Sequence, residues 1–412
     1  MGAALPTIRM IVASRSKVGS SRWRNARALG LVAPLFGFLV ITFFAPIVVA
    51  LWQSVWEPTV SRALPNTAAA LRDFNGTSLP ADETFEALQA DLRVLADSDT
   101  LAKLAVQLNI AMPGFRSLLF KTSEAVADHP AQMKAQDFIA VDERWGALPT
   151  WAAIKRFASP LTDANLLAAV DLTRDDQGAI RKVPPDRALF VALLLRTLAM
   201  AASVTVICLI AGFPLAYFMA NSPPRRAGIL MIFILLPLWT SILVRTLSWT
   251  VLLQREGIIN SFLSGLHVAG APFNLMFNRP AVYIGMTHIL LPFMVLAIFS
   301  VMKNFPHGFL QAASSLGAKP FTVFRRVYLP LVMPGVVSGC LLVFIQALGA
   351  YITPLLLGNP NDQTIAPTIA FYVTKSSNWG LAAALSLILL VSVALLSVIY
   401  RGVAGNKMVG VA

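Results

Sequence analysis

His307-Gly308-Phe309-Leu310-Gln311-Ala312-Ala313-Ser314-Ser315-Leu316-Gly317-Ala318-Lys319-Pro320 is a polar, alanine-rich interruption between two long apolar runs. Residues 307–316 fit a short helix with Phe309, Ala312, Ala313 and Leu316 on one face. Small alanines in that face let another surface approach closely. Gly317 has no Cβ and permits a sharp turn at the helix end. Phe321 to Arg326 and then Val327-Tyr328-Leu329-Pro330 lead into the next apolar run, with Lys319, Arg325 and Arg326 as basic markers. A rigid helix set between two membrane spans can transmit force from a soluble partner.

The rest of the chain supplies the spans. Of 412 residues, 57% are hydrophobic and 13% charged, and the mean hydropathy is +0.69. A soluble domain carries about 25% charged residues, so a soluble enzyme is disfavoured. A membrane helix needs roughly 20 apolar residues, and six stretches qualify, near 29–52, 191–220, 227–253, 281–302, 327–357 and 380–400. The expected fold is all-α and polytopic. Pro214, Pro237, Pro292, Pro334 and Pro354 lie in or near these runs and mark possible kinks. The first run, about 24 residues, exceeds the 7–15 of a signal-peptide core, so it reads as a retained span.

Charge sets the expected orientation. The net charge is +13, yet 18 of the 20 Asp and Glu lie between Glu57 and Arg187, a window with 14 Lys and Arg. Basic residues elsewhere sit at the ends of apolar runs and not on one polar face, which argues against a nucleic-acid binder. Arg9, Arg15, Lys17, Arg22, Arg24 and Arg27 precede the first span; Arg225 and Arg226 follow the second; Lys303, Lys319, Arg325 and Arg326 follow the fourth; Arg401 and Lys407 follow the last. The opposite short loops hold Arg255, Arg279 and Lys375. Excess Lys and Arg faces the cytoplasm. Both termini are therefore expected inside an inner (plasma) membrane, and residues 53–190 outside.

This gives a basic segment 1–28, span 29–52, an external insert 53–190, a core 191–400 containing the interruption 303–330, and a tail 401–412. The insert is too long for a simple loop and long enough to bury a small core. Phe85, Leu88, Leu92 and Leu95 form a helical stripe that Asp82 could cap. Leu101, Leu104, Ala105 and Leu108 repeat the spacing, and Trp145, Trp151, Ile154 and Phe157 suggest a further packed element. Asn75-Gly76, Pro113-Gly114, His129-Pro130 and Pro184-Pro185 punctuate it. The insert is either a docking or gating surface or a passive cap. Cys208 and Cys340 fall in spans, where small packing residues are expected. No metal-ligand cluster, nucleophile–base pair or Gly-x-x-x-x-Gly-Lys-Ser/Thr phosphate loop is present in the sequence, so neither a metal site nor an enzyme is expected.

The interruption resembles the EAA loop of ABC importer permeases: Ala312-Ala313, three residues, Gly317, nine residues, Val327-Tyr328-Leu329-Pro330. Gln311 stands where that family usually has Glu. Leu236-Pro237-Leu238-Trp239-Thr240-Ser241-Ile242-Leu243-Val244-Arg245-Thr246 and Leu252 to Asn260 resemble the spermidine/putrescine-type permeases. So do Tyr351-Ile352-Thr353-Pro354-Leu355-Leu356-Leu357-Gly358, Asp362-Gln363-Thr364 and Asn378-Trp379-Gly380. The resemblance implies the type I (MetI-like) importer permease fold. It also implies two ATPase subunits carrying ATP and Mg²⁺, a second permease subunit in a heterodimer, and a periplasmic substrate-binding protein. No cofactor is implied in this chain. Gln311, Ala312, Ala313, Leu316, Gly317, Ala318, Lys319 and Pro320 would then couple the bundle to the ATPase.

Polar groups inside lipid raise a functional hypothesis by default. Trp239, Thr240, Arg245, Thr246 and Trp249 in the third run, with Gln346, Tyr351 and Thr353 in the fifth, are the pathway candidates. Arg245 lines a pathway, meets a subunit interface or snorkels to headgroups; His288 bonds a neighbouring helix. The six runs contain no Asp or Glu, which sits awkwardly with a polycationic substrate. Polyamines therefore compete with opines, amino acids or other small solutes as cargo, and a nontransporting receptor or scaffold is the rival of a different class.

Overall fold

The computed structural model describes residues 30, 32–95, 99–129, 131–175, 178–267, 272–306 and 308–408. The basic segment 1–28, Pro130, His307, the side chains of Arg401 and Lys407, and residues 409–412 lie outside the described residues. Helix α1, Val32–Trp52, has a mean hydropathy of 2.5 and buries none of its residues. An apolar surface all round is what a lipid-facing helix requires. Everything after Trp52 forms a separate unit.

That unit begins with the insert. Helices α2 (Thr59–Ala63), α3 (Pro65–Ala70), α4 (Asp82–Leu95), α5 (Asp99–Ala111), α6 (Phe115–Asp128), α7 (Ala135–Val141) and α8 (Leu148–Ala158) surround one aromatic core. Phe85, Phe115, Phe138, Trp145 and Trp151 are fully buried there. Phe85 meets Trp151 edge-on at 4.6 Å, and the two tryptophans lie 5.3 Å apart. Buried indoles need acceptors: Trp145 Nε1 donates to Thr122 Oγ1 at 2.8 Å and Trp151 Nε1 to the Trp145 carbonyl at 2.9 Å. The stripes of α4 and α5 are buried as their spacing predicts. Asp82 is a correction. It is the first residue of α4 rather than its cap, and its carboxylate accepts from the Ala135 amide at 3.3 Å.

After α9 (Ala164–Ala168) comes an antiparallel hairpin, β1 (Leu172–Arg174) with β2 (Ile180–Lys182), pairing Thr173 with Arg181. These are the only strands among the described residues, so the fold is all-α in class. The residue just before the hairpin ties the insert to the helix that follows it. Asp171, held at φ +55°, accepts from the amides of Leu189, Phe190 and Val191 at 2.8–3.0 Å. A carboxylate there satisfies orphan donors and the positive end of the next helix.

That helix is α10, Phe190–Ala220. It is followed by α11 (Pro224–Leu235), α12 (Ile242–Leu253), α13 (Ile258–Gly265) and α14 (Arg279–Lys303). Next come α15 (Gly308–Ser315), α16 (Pro320–Val323), α17 (Leu329–Leu348), α18 (Ile352–Leu357), α19 (Ile365–Thr374) and α20 (Trp379–Met408). A π-turn, Phe324–Tyr328, joins α16 to α17. Helices α10, α14 and α17 form the bundle core. Lacking a hydrophobic drive in lipid, such helices associate through small residues. A Cβ at Gly335 would lie 2.9 Å from Val301, and one at Gly339 2.9 Å from Met294 Sδ.

Five described helices are long and apolar enough to cross a membrane, or six if one bent pair counts as a single span. The bend falls in the third expected span, just after Pro237, where the sequence marks a possible kink. Pro224–Trp239 and Ile242–Gly265 meet at 97°. A single 3₁₀ turn at Leu236–Trp239 holds Pro237, Thr240 and Ser241 are extended, and Ser241 Oγ caps the next helix by accepting from the Val244 amide at 3.2 Å. The fifth run also divides. Helix α17 stops at Leu348, and α18 restarts beyond Gly349 to Tyr351.

The insert meets the end of the chain as well. Ala169 packs with Ile365, Leu381, Ala384 and Leu385. Gly380, in the first turn of α20, has no room for a side chain: a Cβ there would collide with Asn165 Nδ2 and lie 3.2 Å from Glu57 Oε2.

Candidate functional site

Two features hold the residues singled out by sequence. The first is α15 and its turn. Gly317 adopts φ +78°. Its amide donates to the Ser314 carbonyl at 3.0 Å, and the Ala318 amide reaches back to Ala313 at 3.1 Å. These two bonds are a Schellman motif, which needs a left-handed residue at that place. Lys319 is extended at ψ 148° and Pro320 opens α16, so the chain reverses within a few residues. Gln311, Ala312 and Lys319 are exposed, and Ala313 and Ala318 half-buried. Leu316 is 88% exposed and Phe309 points outward as well, so an apolar face stands free.

Behind α15 lies a cavity of about 240 Å³ lined by Tyr217, Asn221, Leu310, Ser314, Phe324 and Tyr328, among others. Aromatic rings bridge it to the bundle. Tyr328 lies 4.9 Å from Phe305 and 5.5 Å from Tyr217, and Phe324 lies 6.4 Å from Phe213. Helix α10 and the segment just after α14 are thus tied to the π-turn that follows α16. Sequence reading missed this knot. The signal was there in two i, i+4 aromatic pairs, Phe213 with Tyr217 and Phe324 with Tyr328.

The second feature is a cavity of about 290 Å³ between α12, α14 and the α17–α18 break. Arg245, Gln346, Tyr351 and Thr353 are its polar lining, against Met286 and Phe293. Thr246 is fully buried, and its hydroxyl meets Thr353 Oγ1 at 3.2 Å, which joins the third run to the fifth. Arg245 is 9% exposed, and its Nε and Nη1 are buried without a hydrogen-bond partner among the described residues. The other candidates stand apart. Trp239 is 81% exposed and Thr240 exposed beside it at the bend. Trp249 Nε1 donates to His288 Nδ1 at 3.2 Å, an inter-helix bond that meets the structural expectation for His288.

Residues 212–405 match the family model described as binding-protein-dependent transport system inner membrane component. That range takes in both the turn at Gly317 and the cavity at Arg245. The spermidine/putrescine transport system permease protein PotB of Salmonella typhimurium is 35% identical over 250 residues, covering 58% of this chain and 86% of that one. The molybdenum transport system permease protein ModB of Mycobacterium bovis is 32% identical over 268 residues, covering 65% and 96%. A solved bacterial ABC transporter involved in alginate import aligns at 14% identity and a TM-score of 0.47, over 53% of this chain and 79% of that one. These relatives are transport permeases rather than enzymes. The chain belongs to the binding-protein-dependent transport system inner membrane components and is a multi-pass permease subunit of an ABC importer.

Proposed function

We propose that this permease moves polyamines of the spermidine/putrescine type into the cell by alternating access. Both termini and α15 lie in the cytoplasm, residues 53–190 lie outside, and a periplasmic binding protein delivers cargo to a heterodimer of this chain and a second permease. Two ATPase subunits bind ATP and Mg²⁺. Their closure pulls on Gln311 to Pro320, and the aromatic knot at Tyr328 passes the motion to α10 and α14. Such a change requires ATP and partners to bind the two states with different affinity.

The observation that carries this reading is the exposed apolar face of α15, held at a fixed angle by the Gly317 turn. The polyamine assignment rests on likeness to PotB. A second reading, a small solute bearing a carboxylate such as an amino acid or opine, is favoured by the unpaired Arg245. A ligand thermal-shift screen of the binding protein purified with the intact complex separates them. Spermidine or putrescine raising its melting temperature supports the first reading. Stabilisation by another solute, with polyamines inert, replaces it.

A further inference from the structure

Among the described residues, Arg245 is a cation without a counter-ion. Its Nε and Nη1 are buried and have no partner among the described residues, while Nη2 is not among the buried unpartnered atoms, and the residue lines a cavity of about 290 Å³. The other polar groups there are no substitute. Thr353 is engaged with Thr246, while Gln346 and Tyr351 are neutral. Carboxylates elsewhere in the core are committed or distant in the fold. Asp362 pairs with Arg279 at 2.6 Å, and Glu256 is exposed in the turn that follows α12. Both lie outside the six apolar runs, which contain no acid. Leaving a buried guanidinium unpaired is among the most costly states a protein can hold.

A transported solute occupies the path for only part of each cycle, whereas the charge is there throughout. The counter-ion must therefore be resident. Gln346 and Tyr351 are exposed at the cavity, and Leu243, Val244 and Leu247 form an exposed apolar surface along α12. A second apolar helix carrying one acid fits that combination. We infer that Arg245 seats the carboxylate of an Asp or Glu from a membrane-spanning helix of the second permease subunit. The inference rests on the proposed heterodimer. It gives a polyamine path the negative charge that this chain lacks: an arriving ammonium competes with Arg245 for the same carboxylate.

The test is a double-mutant cycle in the complete complex in proteoliposomes. Each Asp and Glu in the spans of the second permease is changed to Asn or Gln, alone and with Arg245→Gln, and transport and complex melting temperature are read. One acid is expected whose loss, like that of Arg245 alone, lowers transport about tenfold or more. Losing both should be no worse than losing one. Exchanging the charges, Arg245→Glu with that acid changed to Arg, should recover activity that neither single reversal retains. If Arg245→Gln fails to assemble, Arg245→Met, which removes the charge while keeping an unbranched side chain, carries the cycle. Independent, multiplicative effects for every acid overturn the inference. So does a rise in KM on Arg245→Gln for a carboxylate-bearing solute alone, because the cargo would then be the occupant. Wild-type chain that never copurifies with a second permease refutes the proposed function instead.

Discussion

Gly317 separates a conformational requirement from a steric one. Its φ of +78° lies in the left-handed region, and a Cβ built there meets nothing within 4 Å. Any cost of substitution within this chain is therefore backbone strain, about 1–2 kcal/mol for an ordinary L-residue and more for a β-branched one. Asn tolerates that region, so Gly317→Asn should keep the turn and Gly317→Val should lose it. A difference of 1–2 kcal/mol is a factor of about 5–30 in the population of the correctly folded elbow. Binding-protein-stimulated ATP hydrolysis in the reconstituted complex reads that population. Val should lower the stimulated rate by about that factor, with Asn close to wild type. Equal damage by both would mean that Gly317 is needed for close approach of the partner and not for its backbone, and the argument from the turn fails.

The insert carries two further tests. Arg144 donates to both oxygens of Asp142 at 2.8 Å, which holds that carboxyl at about 2 instead of 3.8. A carboxyl lowered in the folded state stabilises above its ordinary range, and the gain fades as pH falls from about 4 toward 2. Asp142→Asn should cost about 1–2 kcal/mol at neutral pH, allowing for the partial exposure of Arg144, and little near pH 2. Thermal unfolding of the full chain against pH checks the sign. Gly380→Val should force Asn165 and Glu57 away from α20 and speed hydrogen exchange in 164–168, leaving the aromatic core at Trp145 and Trp151 protected. Exchange rising equally in both regions would mean that the insert and its attachment unfold together.

Local patterns were legible in the sequence, and tertiary ones were not. The turn at Gly317 is set by neighbours within five residues, so glycine and spacing alone pointed to it. Spans such as Phe190–Ala220 follow from apolar length, which depends on no partner. The buried stripe of Phe85, Leu88, Leu92 and Leu95 follows from helical period. Pro237 marked a possible kink, but the sharpness of the bend at Thr240 and Ser241 was not legible, because hydropathy continues across it. The Leu172–Lys182 hairpin is too short for a strand pattern, and Asp171 gains its role only by meeting residues 18–20 positions onward. Arg245 was visible as a charge in lipid. That it is buried, and that Gln346, Tyr351 and Thr353 gather around it, required the packing of α12 against α14 and α18.

Disulfide or thiol crosslinking from a single cysteine at Ala313 tests the central claim most directly. The native Cys208 and Cys340, buried and half-buried, keep background reaction low. The account predicts a crosslink to the ATPase subunit that changes with nucleotide, and protection from a membrane-impermeant thiol reagent added outside the cell. Labelling of that cysteine from outside, with no crosslink to the ATPase in any nucleotide state, would contradict it.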